Sequence, residues 1–497
     1  MSGPLDRISR LGRTWAINTV NSAVYALSLG RTTWHEGRYS AARGRWDNWN
    51  RTFSCRPTKY VQPTTEEEIR AIVRDNPRVR VVGAGHTFNG APLTDDVLLS
   101  MDRYNRVLEV DRACRRARVQ AGIRLRDLMP QLEQQGLDMR LLGSTNAQSM
   151  GGLVASDLHG TGRDNGFLSE QVLEVRVVNA RGEAETYPRG HPHFRAVFGG
   201  LGCCGVVTEL TLDCVEAYNL ERSIRIVRRD WAEENIDQLL AEHQHLSFYY
   251  LGGIDAENVR INVWDRTDRP ARRSNRWHDL SGELIDMLFG GYLVGLGPTV
   301  KAAKFSSRIA ELFFKATMDN RKTVYASSTG FRRRLYYHHD ELEYGIPRAS
   351  FRPCLQELLD MLARRRHVCV VEVRFAPNKS EGLLGPGVGR ETCFIELAPS
   401  LSRDPAEIFE EAETIFWRYR GQFHPGKVTR ATPEKMREMF GDRFELFQEV
   451  RRRQDPDGKF ENAFVRRLFG PVSAAPVAVG PPGRAGVHSD STATPAQ

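Results

Sequence analysis

The stretch that decides the fold is V-G-A-G-H-T-F-N, residues 82–89. It follows residues 79–82, whose valine-rich pattern predicts a β-strand. Glycines after a strand let backbone N–H groups approach a phosphate closely, because no side chain intervenes. The stretch lacks the G-x-G-x-x-G spacing of a dinucleotide fingerprint and the lysine of a P-loop. On these residues alone, a phosphate-binding loop and a tight structural turn are equal alternatives.

A second run of small residues extends from Gly143 to Gly162. It holds two clusters, residues 143–144 and 149–156, and ends in H-G-T-G at residues 159–162. Such a segment either wraps its backbone around a large flat ligand or packs tightly between other elements. Its length and its pairing with the first stretch favour the ligand.

Two shorter motifs carry charged side chains. Glu372 and Arg374 are two residues apart in a segment predicted to be a strand, so both project from one face. They form either a simple salt bridge or an acid/base and substrate-clamping pair. The motif H-P-G-K, residues 424–427, presents a histidine and Lys427, and its alternative is a solvated turn.

Composition narrows the class of protein. The chain has 497 residues, of which 40% are hydrophobic and 27% charged. These values are typical of globular proteins and exclude a fully disordered or polytopic membrane chain. The net charge of +8 comes from 70 Lys+Arg against 62 Asp+Glu, and only nine of the basic residues are lysines. The excess of positive charge is too small for a chain of this length to indicate nucleic-acid binding. Because lysines are so few, Lys427 is a candidate for a specific role.

The eight cysteines show no C-x-x-C motif and no zinc-module spacing. We therefore expect no metal, and we expect small buried cysteines in a reducing compartment. A redox pair at Cys203-Cys204 is the less favoured alternative.

Two segments raise the question of a membrane. Residues 1–45 look like an N-terminal extension. Within it, residues 14–30 have one apolar face at helical spacing. This stretch is too polar and too short for a transmembrane helix, and it lacks a signal-peptide cleavage site. Residues 284–300 are apolar but contain four glycines and Pro298, which favours a buried or interfacial segment. The tail from Pro471 is rich in Pro, Ala, Gly and Ser and is predicted to be disordered.

Hydrophobic periodicity predicts the regular elements. The predicted helices are 66–74, 125–135, 405–418, 433–440 and 443–453, and the predicted strands are 79–82, 97–101, 116–119, 172–179, 206–212, 368–375 and 393–397. Residues 180–183 are predicted to be a hairpin turn.

The four motifs occur in this order in a known family. The chain resembles the flavin-dependent sugar-lactone and alditol oxidases, such as L-gulonolactone and D-arabinonolactone oxidases, within the vanillyl-alcohol-oxidase-type flavoproteins. The resemblance runs from about Trp46 to Gly470 and is supported by residues 63–67, 341–347 and 455–460. It implies an α+β fold: a PCMH-type FAD-binding domain at 46–218 and a cap domain with a large antiparallel sheet at 219–420. A C-terminal segment, 421–470, completes the active site, and 471–497 is a tail.

The resemblance also implies the site residues. His86 holds the place of the histidine that many members bond covalently to the flavin. Glu372, Arg374 and Lys427 would be catalytic, holding the substrate and the negative charge that develops during oxidation. The residues that it places at the FAD are Val82, Gly83, Ala84, Gly85, His86, Thr87, Phe88, Ser144, Ser149, Gly152, Ser156, Asp157, His159 and Val207.

Several positions depart from the family pattern. Members usually carry His-Trp-Gly-Lys where this chain has Pro425 in place of the tryptophan. They often have a histidine at the position of Glu396. Residues 156–158 are Ser, Asp and Leu, where members usually have small residues and threonine. Residues 265–330 look like an atypical insertion. These departures bear on the substrate and leave the flavin assignment unchanged.

The expected function is FAD-dependent oxidation of a CH–OH group on a sugar-derived substrate, an aldonolactone or alditol. Hydride would pass to the flavin, which O2 or another acceptor would reoxidise; the small Gly143 favours O2. The alternative is a membrane-surface FAD dehydrogenase or reductase acting on a lipid-linked or sterol-like substrate, with contact through residues 1–45 or 284–300. We expect a cytoplasmic protein. The alternative is a protein that associates with the surface of a membrane.

Overall fold

A computed structural model describes residues 36–162, 164, 166–254, 256–272, 322–331, 339–399 and 404–472. The predicted helix at 14–30, the segment 284–300 and nearly all of the tail lie outside these residues.

The described strands are β1 Arg38–Ser40, β2 Arg45–Asp47, β3 Ser54–Cys55, β4 Lys59–Val61, β5 Val79–Val82, β6 Val97–Ser100, β7 Val107–Asp111, β8 Arg116–Gln120, β9 Leu137–Asp138, β10 Val172–Val178, β11 Ala184–Pro188, β12 Val206–Asp213, β13 Val215–Glu216, β14 Asn219–Arg228, β15 His245–Gly252, β16 Asn258–Thr267, β17 Thr323–Ala326, β18 Leu342–Pro347, β19 Cys369–Ala376, β20 Thr392–Pro399 and β21 Gln422–Phe423. The described α-helices are α1 Glu66–Asp75, α2 Leu125–Gln134, α3 Met150–Ser156, α4 Pro192–Val197, α5 Arg229–Glu234, α6 Ile236–Glu242, α7 Ser327–Gly330, α8 Phe351–Arg365, α9 Ala406–Arg418, α10 Pro433–Phe440, α11 Asp442–Gln454 and α12 Ala463–Phe469.

The N-terminal half contains the two sheets that carry the glycine-rich loops. Strands β4, β6 and β5 form a parallel sheet, and β11-β10-β12-β8-β7 form an antiparallel one. Helix α1 begins where the sequence predicts, because the Thr65 side chain accepts a hydrogen bond from the Glu68 amide at 3.2 Å. It buries Ile69 and Val73 against the parallel sheet. Strand β5 therefore ends, as predicted, at the start of the loop 83–89.

The C-terminal half is built on one large antiparallel sheet. Its eight strands lie in the order β17-β14-β16-β15-β19-β20-β18-β21. Helices α8 and α9 pack against each other and against this sheet, which buries apolar residues of both helices. The predicted helix at 405–418 and the predicted strands at 368–375 and 393–397 are all present within two residues of their predicted ends. The opposite face of the sheet is left to carry polar side chains.

Both terminal parts of the described chain are ordered, and the C-terminal part connects the two halves. Residues 36–45, which the sequence places in an extension, are ordered: β1 pairs with β2, and Gly37 donates its amide hydrogen to the Ala84 carbonyl at 2.8 Å. At the other end, β21 pairs with β18 of the large sheet. Arg80 in β5 then donates to the carbonyl of Phe460, so the segment after β21 returns to the first half.

The expected α+β fold, with a flavoprotein-type first domain and a cap built on a large antiparallel sheet, is confirmed. None of the described helices is long and apolar enough to cross a membrane. All eight cysteines are described and are free thiols. Seven are buried as predicted, whereas Cys114 is exposed because it lies in the turn between β7 and β8.

Candidate active site

A cavity lies where the glycine-rich loops of the first half face the large sheet of the second. Its walls come from several parts of the chain that are separated in sequence. The lining residues used below are Val82–Phe88, Gly143, Ser144, Gln148, Ser149, Gly152, Ser156, Leu158, His159, Glu341, Glu343, Arg374, Glu396, His424, Gly426 and Lys427. The three chemical motifs and the first glycine loop therefore meet at one place.

The loop after β5 approaches helix α3 too closely for any side chain. A Cβ atom on Gly83 would lie 1.9 Å from Ser149 Oγ. Ser149 is the N-cap residue of α3, and its hydroxyl accepts from the Gly152 amide at 3.4 Å. Gly85 has a φ of +67°, which favours glycine, and a Cβ there would lie 2.8 Å from the Trp46 ring. Both glycines are required by their positions, which leaves backbone rather than side chains facing the cavity.

His86 lies in this wall beside an aromatic neighbour. Its ring stacks on Trp49 with centroids 5.2 Å apart and an interplanar angle of 15°. Trp49 is fully buried. The stacking fixes the plane of the imidazole at the edge of the cavity.

The H-P-G-K loop is fixed to the first loop by backbone and amide hydrogen bonds. The Phe88 amide donates to the Gly426 carbonyl at 2.9 Å. The buried Asn89 side chain donates to the carbonyls of Pro425 at 2.8 Å and Lys427 at 2.9 Å. These bonds place Lys427 above the cavity, where its ammonium lies 5.0 Å from the centre of the Phe88 ring.

Three glutamates stand directly opposite one another on neighbouring strands of the large sheet. Glu343 in β18 pairs in register with Glu396 in β20, and Glu396 pairs with Glu372 in β19. We call Glu343, Glu396 and Glu372 the carboxylate row. All three are buried. Like charges in directly opposed positions destabilise a sheet unless other charges compensate them.

Arg374 and Lys427 supply that compensation. The Arg374 Nη2 atom donates to Glu343 Oε1 and, at 3.0 Å, to Glu396 Oε2. The Lys427 Nζ atom donates to Glu341 and, at 3.1 Å, to the same Glu396 oxygen. Two cations thus face four carboxyl groups, so the cluster carries an excess of acid.

The excess acid appears as divergent pKa values. Burial opposes ionisation throughout the cluster, but the Arg374 guanidinium and His159 hold the pKa of Glu343 well below its usual range. Lys427 and His339 likewise lower the pKa of Glu341 against the effect of burial. Burial and the neighbouring Glu341 charge raise the pKa of Glu396 to about 7. The cluster therefore holds its spare proton at Glu396 near neutral pH.

Two histidines line the floor of the cavity. His159 stacks on Phe394 with centroids 3.6 Å apart, and its Nε2 atom hydrogen-bonds Glu343 Oε1 at 3.0 Å. The Gly426 amide donates to His424 Nδ1 at 3.0 Å. Burial lowers the pKa of both rings, that of His424 to about 3. Ligand-type atoms of His159, His424 and Glu343 lie within 4.8 Å of one another. Arg374 already donates to Glu343 there, so we assign the group to the ion-pair network and not to a metal site.

Comparisons with known proteins identify the family of this chain. A family model described as D-arabinono-1,4-lactone oxidase matches residues 210–468, and one described as FAD binding domain matches residues 57–187. The chain belongs to the D-arabinono-1,4-lactone oxidase family. It is therefore an FAD-dependent oxidoreductase that acts on CH–OH donors.

The match between this chain and similar proteins extends over nearly the whole length of each relative. The L-gulono-1,4-lactone dehydrogenase of Mycobacterium tuberculosis is 31% identical over 86% of this chain and 99% of the relative. The L-gulonolactone oxidase of Bos taurus is 29% identical over 86% of this chain and 98% of its own. In fold, the chain is similar to the crystal structure of cholesterol oxidase from B. sterolicum, with a TM-score of 0.69, 16% identity, and coverage of 85% and 96%.

The residues present fit an FAD. Gly83, Gly85 and Ser149 form a cradle from which a Cβ atom is excluded, and this is what the pyrophosphate of a dinucleotide needs for close approach. The cavity then runs from this cradle to the cationic pair Arg374 and Lys427. A flavin ring bound along it would face those two side chains.

Most of the predicted site residues of this family member lie at the cavity, and three do not. Asp157 is buried behind helix α3, where its carboxylate accepts from Ser380 Oγ at 2.6 Å and the Ser169 amide at 3.2 Å. Burial raises its pKa to about 6. Val207 is a half-buried residue of β12 that packs between two apolar clusters. Neither side chain lines the cavity, so their predicted contact with FAD stays a prediction.

Glu372 is the third predicted residue placed away from the cavity. Its carboxylate accepts from Tyr249 OH at 2.7 Å and lies 3.8 Å from Arg374 Nε. The two-residue spacing correctly placed it on the face of Arg374. Its side chain does not line the cavity, and its contact with Arg374 suits it to position that guanidinium.

Four acid and imidazole side chains of the site were not predicted as site residues from the sequence: Glu341, Glu343, Glu396 and His424. Glu341 and Glu343 carry the same signal as Glu372 and Arg374, namely two charged residues two apart, of which Glu343, Glu372 and Arg374 lie within a strand. Glu396 was noticed only as a departure from the family pattern. His424 was part of a recognised motif in which Lys427 took the attention.

Proposed function

We propose that this enzyme oxidises a hydroxyl group of an aldonolactone, with Arg374 and Lys427 as the residues that hold the substrate over the flavin. The observation that carries the proposal is the position of these two cations. Both side chains line the cavity opposite the glycine cradle, and both are buried against carboxylates. The named relatives, which are L-gulono-1,4-lactone and L-gulonolactone enzymes, support the same substrate class.

The polar lining of the cavity suits a small polyhydroxylated molecule. Carboxylates accept hydrogen bonds from hydroxyl groups, whereas Arg374 and Lys427 donate to carbonyl and hydroxyl oxygens. A lactone offers both kinds of group. Binding energy would therefore come from several hydrogen bonds, which also fix the orientation of the reacting carbon.

When bound, the flavin accepts the hydride that leaves the substrate carbon. The protein has to manage charge. As the hydroxyl loses its proton, negative charge develops on the substrate oxygen, and a preorganised cation stabilises it most effectively where water is excluded. Lys427 and Arg374 are held in place by Glu341, Glu343 and Glu396 before any ligand arrives.

We propose that residues 82–88 with Ser144, Ser149, Gly152, Ser156 and His159 hold the FAD, and that His86 is its covalent attachment point. The support is that all of these residues line the cavity. The Trp49 stack presents the His86 ring at its edge. A covalent link prevents loss of the cofactor.

We further propose O2 as the electron acceptor. Gly143 lines the cavity, and a Cβ there would lie 3.2 Å from Gln148 Oε1 and 3.3 Å from the Leu158 side chain. Even one methyl group would crowd this wall. The test compares O2 consumption with dye reduction in the wild type and in Gly143→Ala. Faster reoxidation by the dye than by O2 in the wild type would argue for a dehydrogenase.

The membrane-surface alternative has less support. The cavity is lined by six acid and imidazole side chains and three cations, which suits a sterol-like substrate poorly. The segments that motivated it, most of 1–45 and all of 284–300, lie outside the described residues. The comparisons favour the lactone interpretation.

The function is tested with Lys427→Met and a matched surface control. Lys427→Met should slow flavin reduction by aldonolactone by at least about 100-fold, the usual effect of losing a charge-stabilising donor. Lys59→Met removes an exposed lysine whose ammonium donates to Asn76 and should leave the rate unchanged. Equal rates in all three proteins would overturn the role of Lys427. Reduction by alditols but by no lactone would overturn the substrate class.

A further inference from the structure

Glu396 has a different environment from the other acids of the cavity. Its Oε2 atom accepts from both Arg374 and Lys427, at 3.0 and 3.1 Å. Its Oε1 atom accepts no hydrogen bond from the described residues, and the side chain lines the cavity. One oxygen is thus anchored between two cations while the other is available to a ligand.

The other candidate proton acceptors in the cavity are occupied or too weakly basic. Glu343 accepts from Arg374 and His159 through Oε1. Its Oε2 atom has no hydrogen-bond partner among the described residues, but it is fully buried and lies 3.7 Å from Lys427 Nζ, so it is less open to a ligand than Glu396 Oε1. Glu341 accepts from Lys427 and His339. Such ion pairs stabilise the carboxylate and make it a poor base. His159 directs Nε2 to Glu343, and burial disfavours a charged ring at both His159 and His424.

We propose that Glu396 is the general base that accepts the proton of the substrate hydroxyl group. In this step the O–H bond breaks, the proton moves to Glu396 Oε1, and the electron pair left on oxygen forms the new C=O bond. The hydride leaves the same carbon for the flavin. The assignment rests on the proposed function, since it presumes an alcohol substrate in this cavity.

The charges around Glu396 suit this task. The groups that face it are Glu341 and Glu343 from the β18 side, Glu372 and Arg374 from β19, Lys427 and His424 from the loop after β21, and His159 from the first half. Burial and the carboxylates raise the pKa of Glu396 to about 7, whereas the two cations oppose that rise. A base works best when its pKa lies near the working pH.

Two features of the row explain why the proton settles there. Glu396 is buried and lies opposite Glu343 in the row, and burial together with the charges of Glu341 and Glu343 raises its pKa. The two cations remain charged throughout, since the carboxylates raise the pKa of both Arg374 and Lys427 despite burial. Glu396 is therefore the group of this cluster that changes charge near neutral pH.

The experiment measures flavin reduction by L-gulono-1,4-lactone in the holoenzyme without oxygen, between about pH 5 and about pH 9, a range around the Glu396 pKa of about 7. The wild-type rate should rise with pH through a single step near pH 7, because the base must be deprotonated. Glu396→Gln should be slower by about 100- to 10,000-fold and nearly independent of pH. Glu396→His should restore part of the rate and a pH step.

A readout independent of turnover uses infrared spectroscopy of the holoenzyme. As the pH rises through about 7, the wild type should lose the protonated-carboxyl signal of Glu396, together with those of Asp138, whose pKa burial raises to about 7, and Asp157, whose pKa is about 6. Glu396→Gln should lose one carboxyl signal fewer than the wild type. Because glutamine resembles a protonated glutamate in shape and charge, the variant should fold and keep its flavin.

The outcomes separate the two proposals. A Glu396→Gln protein that keeps the wild-type rate and pH step would overturn the base assignment alone. A wild type whose flavin no lactone reduces at any pH would overturn the proposed function. An infrared titration of Glu396→Gln that matches that of the wild type would place the proton on another residue and contradict the assignment.

Discussion

Replacing Arg374 by methionine should destabilise the protein through the carboxylate row. The guanidinium contacts Glu343 and Glu396 through Nη2 and lies 3.8 Å from Glu372 through Nε. Methionine fills similar space but carries no charge. Four carboxyl groups would then share the single ammonium of Lys427.

The size of the effect follows from burial. Breaking a buried ion pair by removing one partner costs about 3–5 kcal/mol, because the remaining charge is left without compensation. With an unfolding entropy of about 2.1 cal/mol/K per residue, the 497-residue chain should lose about 3–5 °C in Tm.

The loss should depend on pH with a definite sign. Arg374 lowers the pKa of Glu343 in the folded protein below its ordinary value of 4.5. That stabilisation is present above pH 4.5 and is lost as the pH falls through the folded pKa. The difference in Tm between wild type and Arg374→Met should therefore be full near neutral pH and should shrink in acid.

Thermal unfolding followed by near-UV circular dichroism at several pH values measures this difference. Arg228→Met is the matched control, since its guanidinium pairs with Asp230 at 2.8 Å on the surface and should give no measurable change. Equal effects of the two substitutions, or an Arg374→Met loss that does not change with pH, would refute the reasoning.

Three further predictions concern the cofactor and the loop beside it. Flavin fluorescence should stay with the acid-precipitated wild type and appear in the supernatant of His86→Ala; free flavin from the wild type would contradict the covalent link. Gly83→Ala should lower the flavin-to-protein absorbance ratio, because its Cβ would lie 1.9 Å from Ser149 Oγ; adding Ser149→Ala should recover part of the flavin, and no recovery would contradict the steric account. Asn89→Ala should slow flavin reduction while flavin stays bound, because the loop of Lys427 loses two hydrogen bonds of about 1 kcal/mol each; an unchanged rate would contradict that positioning role.

The elements that the sequence predicted correctly are those whose signal is local. Strand β19 is apolar apart from Glu372 and Arg374, and α1 starts at an N-cap threonine followed by three glutamates. The spacing of Glu372 and Arg374 correctly placed both on one face of a strand. Local pattern was also sufficient for the glycine loop, because a positive φ at Gly85 needs that residue type.

The carboxylate row could not be predicted, since it depends on which strands become neighbours. Glu396 meets Glu343 and Glu372 only because β20 lies between β18 and β19, an order that no local pattern encodes. Strand β1 was missed for a similar reason. Its residues are half-buried or exposed, and pairing with β2 rather than an apolar pattern holds them.

The central claim is that this flavoprotein oxidises an aldonolactone at the cavity of Arg374 and Lys427. The most direct test mixes the oxidised holoenzyme with L-gulono-1,4-lactone or D-arabinono-1,4-lactone in the absence of oxygen and follows the visible flavin absorbance. We expect rapid bleaching of the flavin in the wild type and much slower bleaching in Lys427→Met. A flavin that stays oxidised with both lactones, or a Lys427→Met variant that bleaches at the wild-type rate, would contradict it.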